Sequence, residues 1–203
     1  MFIAGKGIHT LQDKAPQRVG FVHCVGSRDE KAGNLYCSKV CCITAVKQAI
    51  EVKQQLPQTE IFCFYMDLRM FGRHYEELYK EAQEKYAIQF IRGRLSEASE
   101  DKEHRVVLKV EDTLLNKPLK IAVDLLVLMS GMVASKQTQA FRDELGMTKD
   151  EDNFLKPVDG ILHSNLSGVE GVFFSGTCSG PKNVADSLAD ARSAALAVDK
   201  YLK

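Results

Sequence analysis

The sequence predicts an α/β fold: a Rossmann-like half-domain with a β-hairpin, followed by a further short strand and a long closing helix. Three observations carry this. Short β-branched and aromatic runs alternate with helical periods in the first half, a turn signal at Asn116-Lys117-Pro118 separates two apolar runs, and an Ala-rich helical period closes the chain. In order, VGFVHCV (19–25) is a buried-strand run ended by Gly26 and Ser27. From Ser38 to Leu56, apolar Val40, Ile43, Val46, Ala49, Ile50 and Val52 recur at three- and four-residue steps until Pro57, which predicts an amphipathic helix. EIFCFYM (60–66) reads as a second buried strand, HYEELYKEAQEKY (74–86) as a second helix with acidic residues early and lysine late, and AIQFIRG (87–93) as a third strand. This alternation is the repeating unit of an open parallel sheet with right-handed crossovers.

The hairpin around 116–118 feeds a buried strand at Leu125–Met129. SKQTQAFRDELGM (135–147) predicts a short helix stopped by Gly146, Thr148–Asp159 a surface loop, GVFFSGT (171–177) a short buried strand, and VADSLADARSAALAVDKYL (184–202) the closing helix. Residues 1–17 show no period and read as linker.

Acidic and basic side chains balance at 27 each, so no global field steers the chain to nucleic acid or an anionic membrane surface. No uncharged run reaches the ~18 residues that a membrane helix needs, so no direct membrane insertion is expected, and the chain reads as cytoplasmic. Six cysteines, four of them between Cys24 and Cys42, are too few and too clustered for a secreted disulfide scaffold. Metal or redox chemistry is the expected use of that cluster.

In a Rossmann unit the turn after the first strand carries G-x-G-x-x-G, which lets backbone amides approach a pyrophosphate. Here the position holds CVGSRDEKAGN, so a nicotinamide nucleotide is poorly provided for. Instead Cys24 stands at the strand's carboxyl end and Cys37, Cys41 and Cys42 at the helix start, where a parallel sheet forms its binding crevice. The spacing is C-x12-C-x3-C-C. Neighbouring helical side chains point about 100° apart, which suits one small tetrahedral ion badly and a multi-iron cube better. Arg28, Lys31, Lys39 and the helix N-terminus would offset an anionic centre.

On these grounds an iron–sulfur cluster, a zinc site, and redox-active or merely buried thiols all stay open. A disulfide between Cys41 and Cys42 would be strained, and Cys63 reads as core. His23 is expected on the opposite face of the strand from Cys24 in a structural role, and His9, His74, His104 and His163 in solvent. Asp67 holds the place of a ribose-binding carboxylate, but without the glycine loop.

CVGSRDEKAGNLYCSKVCC, followed by IFCFYMDLRMFGRHYEELY, FIRGRLSE, VEDTL and LLVLMSGMV, resembles the A subunit of heterodisulfide reductase and the related A subunit of the quinone-interacting membrane-bound oxidoreductase. The resemblance runs from about Arg18 to the last residue and covers the C-terminal part of that family. It implies a flavoprotein on the thioredoxin-reductase plan, with FAD and an additional [4Fe-4S] cluster, and it assigns the cluster to Cys24, Cys37, Cys41 and Cys42. It divides the chain into a linker (1–17), an NAD(P)-domain-like, iron–sulfur-bearing region (18–124) and the closing segment of an FAD-binding domain (125–203).

In that segment FFSGTCSGPKNVADSLADARSAA resembles the strand and helix beside the flavin, which implies Gly131, Gly176, Thr177, Cys178, Lys182, Asn183 and Val184 as flavin neighbours. The family's Gly-Asp is Gly176-Thr177 here, so the carboxylate expected at the ribityl chain is missing. The family's FAD-binding glycine loop lies upstream of everything seen here. The expectation is therefore a fragment, or a short or split version, that binds FAD weakly or not at all and is inactive alone.

The resemblance implies an oxidoreductase's electron-transfer segment, relaying between FAD and centres in other subunits of a heterodisulfide reductase-like or quinone-interacting complex, with the N-terminal FAD-binding half as a further partner. The alternative is a zinc-stapled or cluster-free structural module of such a complex.

Overall fold

The computed structural model describes residues 7–203; the first six residues of the expected linker lie outside the described residues. Two compact units are present. Among the described residues, one comprises those up to Val25 together with Cys41–Ser130, and the other Gly26–Val40 together with Gly131–Lys203.

The first unit is built on a parallel sheet in the order β3-β2-β1-β7, from β1 (Arg18–Val25), β2 (Glu60–Tyr65), β3 (Gln89–Arg92) and β7 (Leu125–Ser130). Helices α1 (Cys41–Gln55) and α2 (Tyr75–Glu84) connect the first three strands, as the periodicity predicts. Strand β1 lies inside the sheet between β2 and β7, which is why six consecutive residues of it are buried. Val19, Phe21, Ile61 and Cys63 join Val46 and Ala49 of α1 in one core. Val22, Phe62 and Phe64 join Leu108, Val110 and Val123 in a second core on the other face. Burying each of the larger of these side chains stabilises the unit by about 1.5–3 kcal/mol. The Asp124 carboxylate accepts the amides of Gln17 and Arg18, both at 2.8 Å, which ties the start of β1 beside β7.

The second core is covered by an antiparallel meander, β4 (Leu95–Glu100), β5 (Val106–Asp112) and β6 (Lys117–Val123), where the sequence suggests a two-stranded hairpin. The extra strand, LSEASE, is largely exposed and offers no apolar alternation to read. β7 belongs to the parallel sheet of this unit, and the chain passes from this compact unit to the other at Ser130/Gly131.

The second unit holds α3 (Lys136–Glu144), a 3-10 turn at Gly176–Ser179 and α4 (Val184–Leu202). Ser135 caps α3 by accepting the Thr138 amide, and Gly146, at φ +64°, follows its end. GVFFSGT is not a strand. Gly171 and Gly176 take positive φ at either end, and between them Phe173 makes an isolated bridge to Leu166. The expected surface loop 148–159 is partly core, since Phe154 and Leu155 are buried, Leu155 with Met147 and Phe174. Gly131 is required sterically. A Cβ there would lie 2.9 Å from both the Gly26 carbonyl oxygen and the Ser27 Cβ.

The 3-10 turn is held from α4. Asp190 accepts the Gly176 amide at 2.7 Å, the Asn165 amide at 2.8 Å and the Lys182 ammonium at 3.1 Å. Lys182 also donates to the Gly176 carbonyl at 2.9 Å and to Ser179 Oγ. Burial pushes the Asp190 carboxyl up, but the Gly176 amide, Asn165 and Lys182 together outweigh it and hold the group below its ordinary value. The folded-state value is the depressed one. Its contribution is therefore present above the unfolded value of 3.8 and lost as pH falls through the folded value.

Replacing Gly131 by Ala is expected to cost about 1–3 kcal/mol of unfolding free energy in urea titrations, because backbone atoms block the new methyl. Gly160→Ala, where nothing lies within 4 Å, serves as the neutral control. Asp190→Ala is expected to cost about 1–3 kcal/mol at pH 7 by leaving partly buried donors unmatched. The gap to the parent protein should close as the titrations are repeated below pH 3.8.

Candidate functional site

In the first unit the chemistry-bearing groups gather where β1 ends and α1 begins. The pairing of β1 with β7 runs in step to Val22↔Leu128 and resumes at Val25↔Ser130. His23 and Cys24 therefore stand against Met129 alone, which is a β-bulge. A strict period of two would put Cys24 with Val22 on the meander side. The extra residue places it instead in the helix-side core with Val19, Phe21 and Met129, while Val25 keeps company with Val22. Cys24 takes φ +57°, a left-handed conformation that costs an L residue on the order of 1–2 kcal/mol and persists where the surroundings impose it.

Cys41 and Cys42, the first two residues of α1, are 3% exposed and belong to the same core as Cys24. Cys42 Sγ lies 3.9 Å from the Asp67 carbonyl oxygen, and Met66, Leu68 and Met70 of the loop after β2 pack against this core. The Asp67 carboxylate lies 3.5 Å from the Arg69 guanidinium. Cys63 is fully buried, and burial pushes its thiol far up, which makes it core as expected.

His23 is 6% exposed, and neither of its ring nitrogens has a hydrogen-bond partner. Burial pushes its imidazole down to about 4, so the ring is uncharged at neutral pH. Leaving a buried polar group unpaired costs on the order of 1–3 kcal/mol.

Cys37 belongs to the second unit, on a loop that is firmly tied there. Asp29 bridges to Asn34, and the Asn34 side chain donates to the Gly26 carbonyl. Tyr36 Oη donates to the Met132 carbonyl at 2.8 Å, and Ser38 Oγ accepts the Met132 amide at 2.8 Å. Tyr36 also packs edge-on against Phe154. The Lys39 amide donates to Cys37 Sγ at 3.3 Å, and the Lys39 ammonium pairs with Asp186 in the first turn of α4 at 2.5 Å.

Among the described residues no disulfide is present. Among the described residues, no group of three or more His, Cys, Asp or Glu side chains is drawn into an arrangement that would hold a metal ion. The donors nonetheless suit a thiolate-bound centre in kind: Cys24, Cys41 and Cys42 share one apolar core, and Cys37 has an amide on its sulfur.

The residues expected beside a flavin also lie in the second unit. Gly176, Lys182 and the turn between them form one hydrogen-bonded assembly with Asp190. Asn183 caps α4 by accepting the Asp186 amide at 2.7 Å. Thr177 and Val184 are both exposed. Cys178 Sγ donates to the Ser175 carbonyl at 3.1 Å, and burial raises its thiol more than Lys182 lowers it. Gly131 stands apart from this assembly, where the backbone of 26–27 passes closely.

Sequence reasoning missed Asp190, Asn165, Asp186 and the unpartnered state of His23. The available signal was the i, i+4 pair Asp186 and Asp190 on an otherwise Ala-rich helix.

No protein-family model matches the chain. It is 41% identical over 191 residues to the A subunit of the H(2):CoB-CoM heterodisulfide,ferredoxin reductase of Methanothermobacter thermautotrophicus, a match that takes in 94% of this chain and 29% of that protein. It is 42% identical over 195 residues to the A subunit of the H(2)/formate:CoB-CoM heterodisulfide,ferredoxin reductase of Methanococcus maripaludis, covering 96% of the chain and 30% of the relative. It is 41% identical over 195 residues to the iron-sulfur A subunit of the CoB--CoM heterodisulfide reductase of Methanocaldococcus jannaschii, again 96% and 30%.

Among solved structures, thioredoxin reductase of T. acidophilum superposes with a TM-score of 0.63 at 18% identity, over 94% of this chain and 54% of that one. The Lactococcus lactis thioredoxin reductase gives 0.60 at 15%, over 91% and 52%. The fold is thus of the thioredoxin-reductase type. With under a third of the curated relatives' length spanned but nearly all of its own length matched, the chain corresponds to a segment of heterodisulfide reductase A subunits.

Proposed function

We propose that this chain is the electron-transfer segment of a heterodisulfide reductase A-type oxidoreductase, with a [4Fe-4S] cluster on Cys24, Cys37, Cys41 and Cys42 next to an FAD site. The observation that carries the reading is the bulge. A strained Cys24 stands in the same buried core as Cys41 and Cys42, and a strand on a period of two would not put it there. The name of the Methanocaldococcus jannaschii relative, an iron–sulfur subunit, supports iron over zinc.

When bound, the cluster supplies one-electron exchange and FAD the conversion between two-electron and one-electron steps. The chain's own residues supply the setting. The apolar core around Cys24, Cys41 and Cys42 excludes water, which strengthens each electrostatic interaction inside it. The Lys39 amide holds the Cys37 sulfur.

On the flavin side, Gly131, Gly176, Thr177, Cys178, Lys182, Asn183 and Val184 are the proposed neighbours. Asp190 and Lys182 fix the Gly176 turn, and the Asn183 cap sets the start of α4, whose N-terminal amides favour negative charge. The proposed partners are other subunits of a heterodisulfide reductase-like complex and a segment supplying the adenosine half of the FAD site, without which the chain is inactive. No described helix is long and apolar enough to cross a membrane.

Anaerobic reconstitution tests this. The expected product is a brown protein with about four iron and four sulfide per chain, bleached by dithionite, with an electron paramagnetic resonance signal in the reduced state. Cys42→Ala should lose most of that iron. A colourless protein that retains zinc tightly would sink the cluster in favour of a structural module, and stoichiometric FAD on the purified chain would sink the incomplete flavin site.

A further inference from the structure

We infer that His23 is a positioning residue for the cluster proposed above. Its ring N–H serves as a hydrogen-bond donor to the sulfur shell at Cys24 and raises the reduction potential of the centre. This rests on the cluster reading.

Two observations meet at this residue. The ring is closed from solvent, and neither Nδ1 nor Nε2 has a partner in the protein. Buried polar side-chain atoms nearly always have one, so a donor left without a protein acceptor points to an acceptor the polypeptide does not supply. Secondly, His23 shares the bulge with Cys24. The pair faces Met129, and both Met129 and Cys24 lie in the core that contains Cys41 and Cys42.

A neutral imidazole carries one N–H donor, and the sulfurs of an iron–sulfur centre are acceptors whose hydrogen bonds tune the potential. A donor stabilises the more negative, reduced state, so its presence raises the potential. A leucine at this position would fill the same space without an orphan polar atom.

The test compares His23→Leu and His23→Gln with the parent chain after anaerobic reconstitution, reading iron and sulfide content, the paramagnetic spectrum and the midpoint potential. Full iron in all three is expected, with the leucine variant's potential lowered by about a tenfold change in the reduced-to-oxidised ratio, which is about 59 mV for a one-electron couple. Glutamine, which keeps an N–H donor, should restore most of the difference. An unchanged potential in a fully loaded His23→Leu protein overturns the inference and leaves the cluster standing.

If the leucine variant fails to fold or load, pulsed paramagnetic resonance on the parent chain, with and without 15N-histidine, decides instead. A histidine nitrogen coupling to the reduced cluster supports the role, and its absence overturns it. A parent chain that takes up no iron overturns the cluster and this inference together, and the iron content tells that case from the others.

Discussion

Strand β1 has to serve two cores at once, with helices on one face of its sheet and the β4–β6 meander on the other, and it makes one change of phase while doing so. Up to Val22 the strand alternates between those cores. After the bulge the phase is reversed, so that Cys24 belongs with the helices and Val25 with the meander. Pleated backbone permits no gradual rotation between faces, so one surplus residue is the smallest change that moves a thiol from one core to the other. The left-handed conformation at Cys24 is the local expense, and burial of Val19, Phe21 and Val22 on the same strand is large enough to hold it.

The second unit solves a different problem, that of holding irregular backbone still. Its turns bury few apolar groups, so polar side chains specify them: Asp190 gathers three donors around the Gly176 turn, and Ser38, Tyr36 and Met132 lock the loop that carries Cys37. Lys39 adds a link from that loop to the first turn of α4. The groups proposed for cluster and flavin within this unit thus share a rigid polar scaffold, whose order does not depend on a large core.

The regular half of the fold is legible in the sequence because burial imposes periods. VGFVHCV and EIFCFYM are apolar on both faces, as interior parallel strands must be, and α1 and α2 show their 3.6-residue repeat. LSEASE is illegible because an exposed edge strand has no core to write a pattern into it. GVFFSGT misleads in the opposite direction, since its apolar residues serve a small core beside a turn and glycine conformation decides its backbone. The cysteine stretch shows which residue types gather. It does not show that Cys24 changes face, because a bulge is a property of two strands in register and neither strand carries it alone. For the same reason strict alternation, applied to the sequence, sets His23 on the face opposite Cys24 and says nothing of the bulge the two residues share.

Helix α4 has no buried residue along its nineteen positions, so packing contributes little to its persistence. Alanine content, length and the Asn183 cap keep it folded, and these favour a helix without favouring any one moment of its life. Its two ends therefore differ in lifetime. Near Asn183, Asp186 and Asp190 the helix is held by a cap, an ion pair and the Gly176 assembly, whereas beyond Ala194 Tyr201 packs edge-on against Phe173. Amide protons between Ala194 and Asp199 should accordingly exchange sooner than those of the first two turns, and Tyr201 sets how far the final turn follows them.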